Sequence, residues 1–102
     1  MPTLTPVSSP ADIKSLPHVF VLFGASTCTP CGIVKKQLEK LDVELEIRVA
    51  VCDKDRATDA WADSLDIKSI PALIEFRDGA PTGRQLVGSF PPARIKSWLV
   101  GG

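Results

Sequence analysis

The sequence predicts an α/β fold in three layers, with a central mixed sheet of four to five strands and about four helices on its two faces. Three observations carry that prediction. "HVFVLFG", His18 to Gly24, is short and nearly continuous apolar, as in a strand buried on both faces. From Pro30 the period becomes helical, with Ile33, Val34, Gln37, Leu38 and Leu41 at inward spacing. "PALIEFRDG" then ends in Asp78-Gly79, a dipeptide that favours a tight hairpin turn.

The remaining elements follow in order. Pro6 and Pro10 leave room only for a short edge strand around Leu4 to Val7. Ser9 before Pro10 fits an N-cap with proline at the first helical position, opening a short helix through about Leu16 that Pro17 ends. The helix from Pro30 to about Leu41 turns Lys35, Lys36, Glu39 and Lys40 outward, with Lys35 and Glu39 spaced for an i, i+4 ion pair.

"LEIRVAVC", Leu45 to Cys52, reads as the next strand. Arg56 to Ile67 reads as a helix with Ala57, Ala60, Trp61, Ser64 and Leu65 on its inner face. A strand from about Ala72 to Arg77 pairs antiparallel with "RQLVGSF", and a last helix faces Ile95, Trp98 and Leu99 inward. The first strand-helix-strand unit should be a right-handed crossover between parallel strands.

The 102 residues are of single-domain size, and one domain is expected over 1–102. Apolar residues are 44% and charged residues 24%, an ordinary globular composition. Twelve basic residues balance twelve acidic ones, so no net field steers the chain toward nucleic acid or an anionic membrane. No charged and then apolar leader opens the sequence, and no run is long enough to span a bilayer. Three cysteines are too few and too odd for a secreted disulfide scaffold. A cytoplasmic, reducing compartment and a monomer are expected.

"FGASTCTPCG" places Cys28 and Cys31 where the His18–Gly24 strand ends and a helix begins. Catalytic groups collect beyond the carboxyl ends of parallel strands. A cysteine at a helix start has backbone N–H groups and the positive end of the macrodipole beside it, and both favour the thiolate. Cys28 would stand at or before the N-cap and Cys31 one turn on, more shielded. Hence Cys28 is expected to attack a substrate disulfide and Cys31 to resolve the mixed disulfide. Pro30 suits a first turn because it lacks an N–H that would have no intrahelical partner.

A zinc site could recruit Cys28, Cys31, Cys52 and His18. His18 begins the strand that Cys28 follows, which separates them by roughly 20 Å at about 3.3 Å per residue. Redox chemistry is therefore the preferred reading. Cys52 is expected to be a small buried residue at its strand end, and Trp61 and Trp98 to be packing residues.

Taken together, "STCTPCG" after an apolar strand, "SIPAL" some forty residues later, "FRDG" and Gly88 make the chain resemble the thioredoxin family over essentially its whole length. The resemblance implies the thioredoxin fold, no cofactor beyond a Cys28–Cys31 disulfide, protein disulfide substrates and a thioredoxin-reductase-type electron donor. It also implies that Pro71 is cis and sits against the disulfide, with the backbone of Ile70 open to an extended substrate. Thr27, Thr29, Pro30, Ile70 and Pro71 are the substrate-binding residues it marks.

Departures from the family are specific. Thr27 replaces a usual tryptophan and Thr29 a usual glycine, which removes a flat apolar contact beside the nucleophile. Leu22 replaces a buried acid that takes a proton from the second cysteine, and Lys36 replaces a helix-kinking proline. A glutathione-dependent, glutaredoxin-like reductase and a thioredoxin-fold binding module without redox turnover are the alternatives.

Overall fold

The computed structural model describes residues 4–52 and 56–101. Its strands are β1 (Thr5–Pro6), β2 (His18–Gly24), β3 (Ile47–Val51), β4 (Ala72–Arg77) and β5 (Ala80–Val87); its helices are α1 (Thr29–Lys40), α2 (Arg56–Ser64) and α3 (Pro92–Val100). One sheet holds all five strands in the order β1-β3-β2-β4-β5. β1, β3 and β2 run parallel, while β4 runs antiparallel to β2 and β5 antiparallel to β4.

Strand periodicity divides the core between two faces. Phe20 and Leu22 of β2 join Val34 and Leu38 of α1 and Ile95 and Leu99 of α3 on one face. Val19, Val21 and Phe23 join Trp61 and Ala62 of α2, with Ile13, on the other. β2 is thus apolar at every position from Val19 because helices cover both its sides. The three layers are those expected, and the thirteen and eleven buried residues in the two clusters show both faces to be substantial.

Several expectations are corrected. The helix after Pro10 is only a 3-10 turn over Pro10–Asp12, so three α-helices flank the sheet where about four were expected. The Asp12 carboxylate accepts from the Ser8 and Ser9 N–H groups at 2.8 and 3.2 Å, which holds that turn without a longer helix.

β5 begins at Ala80 rather than at Arg84. Asp78 and Gly79 both have positive φ, 53° and 81°, so the two-residue turn pairs Arg77 with Ala80 at once. Pro81 is tolerated because β5 is an edge strand with a register shift opposite Ile74 to Phe76.

Ile33 is 52% exposed, because the inward stripe of α1 runs through Cys31, Val34 and Leu38. Lys35 and Glu39 do not form their expected pair; the ion pairs among the described residues are His18–Glu75, Arg48–Glu46, Lys68–Asp66 and Arg84–Glu75.

Candidate functional site

β2 delivers the chain into the loop of Ala25 to Cys28, and α1 opens directly after it. Cys28 is the N-cap residue of α1, with extended backbone (φ −90°, ψ 104°). Its Sγ accepts from the Cys31 N–H at 3.2 Å, so the sulfur takes the place of a capping oxygen. Thr29 and Pro30 are the first helical residues, where the missing proline N–H costs no helical bond. Cys31 follows at 5% exposure, while Cys28 is half-buried.

The two cysteines form a disulfide with 5.2 Å between their Cα atoms. Gly24 explains how the sheet can approach so closely. A Cβ there would lie 3.1 Å from Cys31 Cβ and 3.2 Å from its Sγ, so the absence of a side chain lets the strand end lie against the disulfide.

β4 supplies the second side of the site. Phe23 pairs with Ala72, which sets Pro71 level with Gly24 on the neighbouring strand. The Ile70–Pro71 peptide bond is cis. Pro71 is buried and its carbonyl accepts from the Gly88 N–H at 2.8 Å, so the end of β5 is drawn to the same place. Gly88 has φ 107°, a conformation that favours glycine.

The register and helix start therefore bring Cys28, Cys31, Thr29, Pro30, Ile70 and Pro71 to one end of the sheet. Thr27 is exposed in the turn before Cys28, and Ile70 is 37% exposed beside the buried proline. Two exposed apolar residues stand near them, one that the sequence does not mark and one that it places inward. Val87, 41% exposed, precedes Gly88 at the end of β5, and Ile33 stands on α1 two residues past Cys31. Val87 could be found only from the pairing of β4 with β5, which no local pattern encodes.

Cys52 lies just past β3, half-buried rather than fully buried, with its N–H bonded to the Gly24 carbonyl at 2.8 Å. It lines a cavity of about 460 Å³ together with Asp59, Asp63, Lys68 and Ile70. His18 stands at the far end of β2, where its Nε2 lies 2.9 Å from Glu75 Oε2. Among the described residues, no three His, Cys, Asp or Glu side chains are grouped to hold a metal ion, and no helix is long and apolar enough to cross a membrane.

What this geometry can do is accept and donate an electron pair at sulfur. Cys28 is the more accessible sulfur and carries the backbone donor that favours a thiolate. Cys31 is held against it and shielded.

The comparisons with known proteins agree with that chemistry. The Thioredoxin family model matches residues 5–100. A thioredoxin of Mycolicibacterium smegmatis is 40% identical over 74 residues, covering 70% of this chain and 65% of that protein. Thioredoxin C-2 of Corynebacterium nephridii is 32% identical over 82 residues, covering 79% and 75%. The crystal structure of Malassezia sympodialis thioredoxin superposes with a TM-score of 0.80 at 19% identity, over 97% of this chain and 90% of that one. Mitochondrial thioredoxin 3 of Saccharomyces cerevisiae gives 0.79 at 18%, over 97% and 95%. At those identities the structural likenesses speak for the fold alone.

Proposed function

The chain belongs to the thioredoxin family and is a thiol–disulfide oxidoreductase that reduces protein disulfides, and we propose that Cys28 attacks the substrate and Cys31 resolves it. The observation that carries the assignment is the asymmetry at the start of α1: a half-buried Cys28 with a backbone donor on its sulfur, beside a Cys31 that is 5% exposed.

In the reduced protein, the Cys28 thiolate attacks one sulfur of a substrate disulfide. A Cys28–substrate disulfide forms and the other substrate sulfur leaves as a thiolate. Cys31 then loses its proton and attacks Cys28 Sγ. The Cys28–Cys31 bond forms, the second substrate sulfur leaves, and two electrons have passed from the protein to the substrate. No cofactor takes part, since the cysteines are themselves the redox group.

An extended substrate segment is proposed to lie along Ile70 and Pro71, with Thr27, Thr29 and Pro30 on its other side. The exposure of Ile70 and the absence of an N–H on Pro71 support this, because backbone pairing at that edge would fall to Ile70. Thioredoxin-reductase-type recycling, a cytoplasmic setting and a monomeric state belong to the same proposal. Support comes from the family and from a cysteine content suited to a reducing compartment.

Insulin reduction in the presence of a chemical reductant tests the roles. The parent protein should accelerate insulin precipitation, and Cys28→Ser should abolish the acceleration. Cys31→Ser should instead accumulate mixed disulfides at Cys28. Equal turnover by parent and Cys28→Ser would sink the assignment.

A further inference from the structure

Behind the disulfide lies a second cavity, of about 210 Å³, between β2, β3 and the first two turns of α1. β2 contributes Leu22 to it and β3 contributes Val49 and Val51, while residues 24–26 are small. Apart from Cys28 and Cys31, Lys35 is the one ionisable residue on its wall among the described residues. A carboxylate at position 22 would have been a proton acceptor here, and Leu22 offers none.

We propose that Lys35 supplies the charge that favours the Cys31 thiolate during resolution, a proposal that rests on the reductase reading above. Helix geometry and charge both support it. Lys35 is four residues beyond Cys31, so the two are neighbours on one face of α1, at about 5–6 Å between Cβ atoms. Cα–Cβ bonds on a helix tilt toward its N-terminus, so Lys35 leans back over the turn that holds Cys31. Lys35 also makes none of the ion pairs found among the described residues, so no carboxylate among them neutralises it within salt-bridge reach.

The charged neighbours do not supply an alternative. Arg48 on β3 is engaged with Glu46 at 2.8 Å, and Glu39 stands a further turn along α1. Lys35 and Lys36 are both exposed, and of the two only Lys35 is on the cavity wall.

The step it assists balances without another reagent. Cys31 gives its proton to solvent, and the ammonium of Lys35 stabilises the thiolate left behind. That thiolate attacks Cys28 Sγ, and the bond from Cys28 to the substrate sulfur breaks. The departing substrate thiolate then takes a proton from solvent. Lys35 acts through electrostatics on Cys31 and is a positioning residue rather than a nucleophile or base.

The test is the pH dependence of iodoacetamide alkylation at Cys31, followed by peptide mapping in reduced Cys28→Ser protein. Introducing Lys35→Met into that background should raise the midpoint by about one pH unit, a near-tenfold loss of Cys31 reactivity on the acid side. Lys35→Arg should restore the parent midpoint, and Lys36→Met should leave it in place. An unchanged midpoint in Lys35→Met, or an equal shift in Lys36→Met, would overturn the proposal. The alkylation readout does not need turnover: a parent protein inactive on insulin would sink the reductase reading, and the midpoint would still decide Lys35.

Discussion

Glu75 is a carboxylate at 2% exposure in the middle of β4, where the strand's neighbours are apolar. Such a burial persists only when the charge is well paired. Here Thr82 donates to Oε1 at 2.7 Å, and His18 Nε2 and Arg84 Nη1 lie 2.9 and 3.0 Å from Oε2. Arg84 in turn stacks on Trp98 at 4.6 Å from the ring centre and donates to the Trp98 carbonyl. Burial pushes the Glu75 carboxyl upward, but hydrogen bonds from Thr82 and His18 and the charges of Arg84 and His18 outweigh it and hold it below the ordinary 4.5. The sign follows from linkage. A depressed folded value means that the contribution is complete above the unfolded value and is lost as pH falls through the folded one. Urea unfolding of Glu75→Gln should therefore show a loss of about 1.5–3 kcal/mol at pH 7, shrinking as the pH is taken down below 4.5. A deficit that stays constant down to pH 3 would contradict the assignment.

α2 shows what periodicity alone leaves open. The helix expected over Arg56 to Ile67 forms over Arg56–Ser64; Trp61 and the half-buried Leu65 face inward as expected, but Ala57, Ala60 and Ser64 are exposed, and Thr58 and Ala62 are buried in their place. Alanine fits either face, so the apolar count could not fix the helix rotation. The rotation is set by partners distant in sequence. Trp61 meets Phe23 edge-on at 4.9 Å and lies tilted against Phe76 at 5.7 Å. Thr58, at 1% exposure, satisfies its hydroxyl by donating to the Ser8 carbonyl at 3.3 Å, which admits a polar residue to the core. For α1 the start was legible from Cys28 and Pro30, yet Ile33 was misassigned because Cys31 itself occupies the inward stripe. Chemical denaturation separates the two faces of α2. Trp61→Ala should cost about 3–5 kcal/mol, whereas Ala60→Glu should stay within about 0.5 kcal/mol of the parent. Comparable losses in both variants would restore the face drawn from the sequence.

At the scale of the whole molecule, one sheet separates two cores and also two ends. The disulfide, Ile70, Pro71 and Gly88 gather at one end of β2, and the His18–Glu75–Arg84 cluster occupies the other. Both ends use sequence signals of different range. The C-x-x-C pair and the Asp78-Gly79 turn are local, so they were legible; Glu75 and Arg84 meet across a hairpin register, and His18 reaches Glu75 from a strand 57 residues away. Polar satisfaction at that range leaves no local pattern to read. The separation of the cores has an energetic consequence. Leu38 is buried at 0% exposure with α3 on one face, and Trp61 at 4% on the other, in clusters that share no side chain. β2, lying between them, sends alternate residues to each, so a cavity on one side removes contacts that the other side does not use. Leu38→Ala and Trp61→Ala should therefore add in a double-mutant cycle, with a coupling below about 0.5 kcal/mol. The cycle should be read from urea midpoints with the disulfide intact in all four proteins. A coupling of 1 kcal/mol or more, well above the range expected for independent sites, would mean that the sheet transmits repacking between its faces and that the two clusters behave as one core.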